Sequence, residues 1–163
     1  DIFNLGTTGT GLTLSSTGTL NLTAGAAGAI FNIAGKTLNT VNLAATTGAN
    51  SYAINSNGTY TTLNISAPAY VKFTNATTQT VTNAISWNGA AGNTPITLLS
   101  NATGTATTLT LTAGGTIQWA AIRDIAFTGP APTVTNSFDQ GHNTGATISP
   151  PSGGAGGGFI IGG

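Results

Sequence analysis

Chemistry needs acids, bases and nucleophiles held close together, and this chain has few of them. Its carboxylates are Asp1, Asp124 and Asp139, it has no Glu, and its one imidazole is His142. Asp139 and His142 lie three residues apart in "DQGHN", with Gly141 between them. A Ser-His-Asp device needs a nucleophile and an oxyanion hole as well, and the sequence marks neither. Glycosidic cleavage needs two carboxyl groups flanking the bond, whereas Asp124 directly follows Arg123, which suits a structural ion pair or a turn role better. A metal site made from Asp139, His142 and Asn143 would be ligand-poor. "GAGGGF" lacks the Lys-Ser/Thr of a phosphate loop. These residues therefore point to a non-enzymatic protein with no cofactor and no metal, in which Asp139 closes an Asx-turn by accepting from nearby backbone N–H groups.

The elements that carry these residues follow from composition. Charged residues make up 4% of the 163, against about 25% in ordinary domains. The chain holds 33 Thr, 24 Gly and 16 Asn. Apolar residues are 39% and mean hydropathy is +0.20, enough to build a core rather than a disordered coil. Thr with Val, Ile, Leu and aromatics favours a pleated, half-buried surface, and the helix formers Glu, Met and Lys are scarce or missing. The chain reads as all-β. With no Cys there is no disulfide framework and no thiolate metal site. No apolar run reaches the ~18 residues of a membrane helix, so no membrane insertion is expected. Zero net charge gives no electrostatic pull toward nucleic acid. The start at Asp1 rather than Met fits a processed chain or part of a longer one.

Strand candidates lie at 2–5, 11–16, 19–24, 29–34, 37–44, 51–55, 62–66, 70–74, 79–87, 96–100, 107–113, 116–127 and 146–149. Several alternate with period two, as in Leu12/Leu14, Leu20/Leu22 and Leu109/Leu111. Their centres lie roughly 8–13 residues apart, the spacing of sandwiches, barrels and solenoids. Asn57-Gly58, Asn88-Gly89 and Gly114-Gly115 are expected to supply positive-φ turns. No strict repeat emerges, which excludes a solenoid of identical coils. The outward positions carry Thr, Asn and Ser where a sandwich shows Lys and Glu, and stacked coils can use such residues as ladders. The favoured architecture is an irregular right-handed parallel β-helix, with a β-sandwich or jelly roll as the alternative. It forms a single β-domain over 1–149, followed by a Gly-rich C-terminal tail over 150–163. Thr-x-Thr tripeptides begin at Thr17, Thr78, Thr103, Thr108 and Thr133. Their starts follow no constant period, so they are not expected to stack into one file as an ice-binding surface would. Five glycosylation sequons, at Asn21, Asn57, Asn64, Asn75 and Asn101, are about what chance supplies.

The stretch "TIQWAAIRDIAFTG…NSFDQGHNTGATIS" resembles the closing coils of β-helical structural proteins of tailed-phage virions, also seen in bacterial surface β-solenoid proteins. Those endings run aromatic-x-x-Ile-x-Asp, a loop, then Asn-Ser-x-Asp-x-Gly-x-Asn-Thr/Ser-Gly and a last strand. The matching positions are Trp119, Ile122, Asp124, Asn136, Ser137, Asp139, Gly141, Asn143, Thr144 and Gly145, with Ala146 standing where an aromatic is common. The resemblance covers roughly 95–163 and implies a structural ending with no catalytic residues. It makes Asn136, Asp139, Gly141, Asn143 and Gly145 a structural cap that satisfies backbone groups where the coils stop.

The reading that follows is a self-assembling structural subunit on a virion surface, of decoration, cement or tail-fibre type. Its partners would be copies of itself, as a trimer or lattice, and other virion or surface-fibre proteins. A bacterial extracellular filament or adhesin subunit is the second reading, and a carbohydrate- or ice-binding module the third. Phe159, Ile160 and Ile161 end the Gly-rich tail as an apolar plug, expected to form an assembly contact at a subunit boundary.

Overall fold

The structure is a computed structural model, and it describes residues 2–4, 17–24, 29–45, 51–90 and 95–152. The strand expected at 11–16 and the plug Phe159, Ile160 and Ile161 lie outside the described residues. The described elements are all strands: β1 (Ile2–Asn4), β2 (Thr19–Ala24), β3 (Ala29–Asn32), β4 (Thr37–Ala45), β5 (Ser51–Ile54), β6 (Gly58–Ser66), β7 (Ala69–Phe73) and β8 (Thr78–Val81). They continue with β9 (Ile85–Asn88), β10 (Ile96–Ser100), β11 (Thr107–Leu111), β12 (Gly115–Gln118), β13 (Ala120–Arg123), β14 (Ile125–Thr128), β15 (Thr133–Thr135) and β16 (Phe138–Asp139). Among the described residues no helix is long and apolar enough to cross a membrane.

Every pairing between these strands is parallel. The antiparallel pairs on which a sandwich or jelly roll is built do not occur among the described residues. One sheet runs β1-β3-β5-β7-β10-β13-β16, and the other runs β14-β11-β8-β6-β9-β12-β15 with β4 beside β6 and β2 beside β4. The chain alternates between them from β1 to β8, and from there places two strands in the second sheet for each one in the first. The long strand β6 pairs with β8 through Gly58–Tyr60 and with β9 at Ser66. From there the second sheet continues as two ribbons, β8-β11-β14 and β9-β12-β15.

Alternation sets the core. In β7 and β11 every second side chain is buried, and register brings the buried ones into files. Val71, Leu98 and Ile122 form one file. Leu38, Tyr60, Val81 and Leu111 form another, and Trp87, Ile117 and Val134 a third. Polar groups inside are bonded, as burial demands. The Trp87 Nε1 donates to the Leu63 carbonyl at 2.7 Å. Gln79, also buried, accepts from the Tyr60 hydroxyl at 3.0 Å and donates to the Ser56 carbonyl at 2.8 Å. Burial pushes the Tyr60 hydroxyl pKa well up.

Several sequence expectations are corrected here. The run 116–127 is three strands, cut where Trp119 and Asp124 take φ of 52° and 56°. The run 79–87 is two, β8 and β9, and 146–149 reduces to a bridge between Ile148 and Val134. Strands β15 and β16 lie in a stretch read as loop. Gly58 opens β6, and neither it nor Gly89 has positive φ; Gly114 and Gly115 do, at 65° and 132°. The Thr-x-Thr tripeptides at Thr78 and Thr108 do stack, rung on rung, with Thr78 opposite Thr108 and Thr80 opposite Thr110. A constant period fails as a criterion because paired residues lie 17 apart at Ile122/Asp139 and 30 apart at Thr78/Thr108.

Candidate functional site

Of the residues singled out for chemistry, Asp1 lies outside the described residues, while Asp124, Asp139 and His142 meet at the C-terminal end of the two sheets. Two chain corners stack there. Trp119 follows Gln118, Asn136 follows Thr135, and Gln118 pairs with Thr135, so the two corner residues are in register. Both are left-handed, at φ of 52° and 51°, a conformation Asn tolerates far better than Trp. Five residues on, Asp124 and Gly141 stack in the same way, the Asp124 N–H donating to the Gly141 carbonyl at 3.1 Å. The resemblance motif thus corresponds to two successive corners of one stack.

Ser137 is buried and ties the first corner. Its Oγ accepts from Ala120 N at 3.0 Å and donates to the Thr135 carbonyl at 2.8 Å. Asn143 stands in for a strand at the second corner. Its Oδ1 accepts from Ile125 N at 2.9 Å, and its Nδ2 donates to the Ile122 carbonyl and to Asp139 Oδ1, both at 2.7 Å. Asp139 Oδ1 also accepts from Gly141 N at 2.8 Å, an Asx-turn. Asp139 is paired in register with Ile122, so the file Val71, Leu98, Ile122 ends on an exposed carboxylate. Gly145 has φ of 79°, and a Cβ there would stand 1.9 Å from the Phe127 carbonyl oxygen.

Asp124 is the buried acid of the cluster. Its Oδ1 accepts from Gly104 N at 2.9 Å, with His142 Nδ1 3.3 Å away, and its Oδ2 lies 3.2 Å from Arg123 Nε. Neither Arg123 Nε nor Asp124 Oδ2 completes a hydrogen bond. A buried charge is kept only when paired, and here the partners approach from one strand end and the following turn. The His142 side chain is 65% exposed. The cluster places an imidazole beside a carboxylate; among the described residues no hydroxyl is bonded to that imidazole. Among them, too, no three His, Cys, Asp or Glu side chains group as metal ligands.

Asn136, Asp139, Gly141, Asn143 and Gly145 are thus brought into one stacked ending. Sequence reasoning missed that earlier corners use the same device. Ser56 Oγ accepts from Ile33 N and Ala34 N, and Asn101 Oδ1 accepts from Asn75 N. A Ser or Asn just past an apolar strand was the available signal. Comparison of the chain with protein-family models, curated proteins and solved structures finds no match.

Proposed function

We propose that this chain is a non-enzymatic, self-assembling structural subunit of virion-surface type, a decoration, cement or fibre component, built as an irregular right-handed β-solenoid. The solenoid reading is supported by parallel neighbours reached only after the chain has visited the other sheet, since parallel crossovers are almost always right-handed. In this reading residues 136–149 are the closing cap.

The observation that carries the assembly reading is the edge at β2. Among the described residues β2 has one strand neighbour, β4. Its sequence, TLNLTA, holds no Lys, Asp, Glu or Pro, the residues with which natural edges resist pairing. An asparagine ladder runs up to it. The Asn64 Nδ2 donates to Asn42 Oδ1 at 2.7 Å and the Asn42 Nδ2 donates to Asn21 Oδ1 at 2.6 Å. The last amide, at Asn21, is exposed and positioned to continue the ladder into an added strand. Sedimentation velocity of the full chain tests this. Trimers or larger species are expected at micromolar concentration, and a clean monomer there rejects the reading.

A further inference from the structure

Register builds a second surface that the assembly reading does not use. On the outer side of β4, β6, β8, β11 and β14, Thr37, Thr59, Thr80, Thr110 and Thr128 stand opposite one another in one file. Two residues back, Thr78, Thr108, Ala126 and Thr144 form a parallel file. The side chains between the files, Gln79, Leu109 and Phe127, are buried, so the threonines are the surface. Neighbouring rungs of such a sheet are about 4.8 Å apart, and files two residues apart are separated by about 6.7 Å. The threonine side chain is stiff at χ1, so each hydroxyl and methyl is held in place; Thr110 Oγ1 and Thr128 Oγ1 lie 2.9 Å apart. These five strands contain no charged residue.

A neutral grid of threonines, interrupted at Ala126, with two fixed repeats matches a partner that itself repeats in two directions. Methyls at this spacing order the water above them while the hydroxyls join that layer by hydrogen bonds. Charged side chains would instead hold water in their own shells. A crystalline polysaccharide, the other periodic partner, is gripped by exposed aromatic platforms; the rings of these strands, Tyr60 and Phe127, face inward and are buried. We infer that the threonine face of β6, β8, β11 and β14 binds the surface of crystalline water, giving the protein an ice-binding activity separate from its assembly.

The test grows ice slowly from a solution of the full chain and measures its concentration in the ice and in the residual liquid, with recrystallisation inhibition as a second readout. The wild-type chain is expected to be enriched in the ice, and T80K and T110K to lose at least ten-fold of that enrichment. T116K, on the exposed outer side of the other ribbon, is expected to retain it. Thermal melts followed by circular dichroism identify any lysine variant that unfolds. For that case the T80S/T110S pair, which removes methyls and threatens packing little, is expected to lower enrichment several-fold. A wild-type chain rejected from ice like a control protein of equal size overturns the inference, as does equal loss in T116K and T80K. If T80K instead dissolves oligomers while the wild type is indifferent to ice, the face belongs to assembly. Sedimentation, read separately, keeps that outcome distinct from a failure of the β2 edge.

Discussion

At Gly145 the backbone of one corner touches that of the rung before it, with φ of 79° and no room for a Cβ beside the Phe127 carbonyl. Gly104 has a similar φ, 81°, but nothing lies within 4 Å of its missing Cβ. Left-handed strain alone costs about 1–2 kcal/mol for a residue with a Cβ. G104A is therefore expected to lose about that much in urea denaturation, and G145A clearly more, because the Phe127 carbonyl must also move. Asn143 divides the amide side chain from the carboxylate in the same way. N143A strips the partners from Ile125 N and one from the Ile122 carbonyl in a half-buried place, and an expected loss of about 1–3 kcal/mol follows. D139A should lose less, since Asp139 is exposed and water can replace its oxygen. The equality of the two losses, or a larger one for D139A, would refute this account. Tyr60 adds a pH dependence. Its folded pKa is raised above the unfolded value near 10, so the folded state holds the proton longer. The stability this represents is present below pH ~10 and is lost as pH rises further toward the folded pKa. Alkaline unfolding midpoints should fall steeply above pH ~10 in the wild type and less steeply in Y60F. At neutral pH Y60F should be weaker because Gln79 Oε1 loses its donor.

Apart from β4 and β6, the described strands are short because corners interrupt them, and those corners decided how much could be read from sequence. Alternation in β7 and β11 was legible, since β7 has Ala69, Val71 and Phe73 and β11 has Leu109 and Leu111 at alternate positions. Trp119 was not legible as a break, because a bulky aromatic rarely takes positive φ; Asp124 belongs to a type that takes it more readily and was legible only as a turn candidate, while the stacked Asn136 and Gly141 lie in the next rung. Thr-x-Thr stacking was hidden because unequal loops place partners 17 to 30 residues apart, so a search for one period finds none. Of the candidate site, the local Asx-turn at Asp139 was visible, while the bond from Gly104 N to Asp124 joins residues 20 apart and leaves no local trace. The asparagine ladder is the element-scale feature easiest to test. N42A removes two amide bonds, to Asn21 and from Asn64, whereas N88A removes one within its own strand, to Ser86. At about 0.5–1.5 kcal/mol for a typical bond, discounted for exposure, N42A should lower the thermal midpoint by a few degrees more than N88A. Equal shifts would show that the ladder contributes nothing beyond its rungs.

For the whole molecule, scarcity of charge would make the proposed association a matter of edges and packing. Screening acts on exposed charges over ~10 Å at 0.1 M salt, and the described residues carry only Lys36, Lys72, Arg123, Asp124 and Asp139, plus His142. Oligomer size is therefore expected to change little between low and high salt; dissociation by salt would point to ionic contacts that the reading lacks. The edge itself can be guarded artificially. N21K puts a lysine, the device natural sheets use against edge pairing, on β2, the outermost described strand on that side of its sheet. It sacrifices one exposed amide bond, so the fold should survive with a loss of about 1 kcal/mol or less. T62K places the same charge on β6, which has neighbours on both sides. If strands add at β2, N21K should shift sedimentation toward the monomer while T62K leaves it unchanged. Removal of 152–163, with its plug Phe159, Ile160 and Ile161, provides the comparison. Three apolar side chains contribute roughly 1.5–3 kcal/mol each when fully buried, and in the proposed assembly that burial would come from a neighbouring subunit. Loss of assembly in the truncated chain with N21K unaffected would move the contact from the edge to the tail. Loss in both would make edge and tail parts of one interface, and loss in neither would leave the subunit without a means of association.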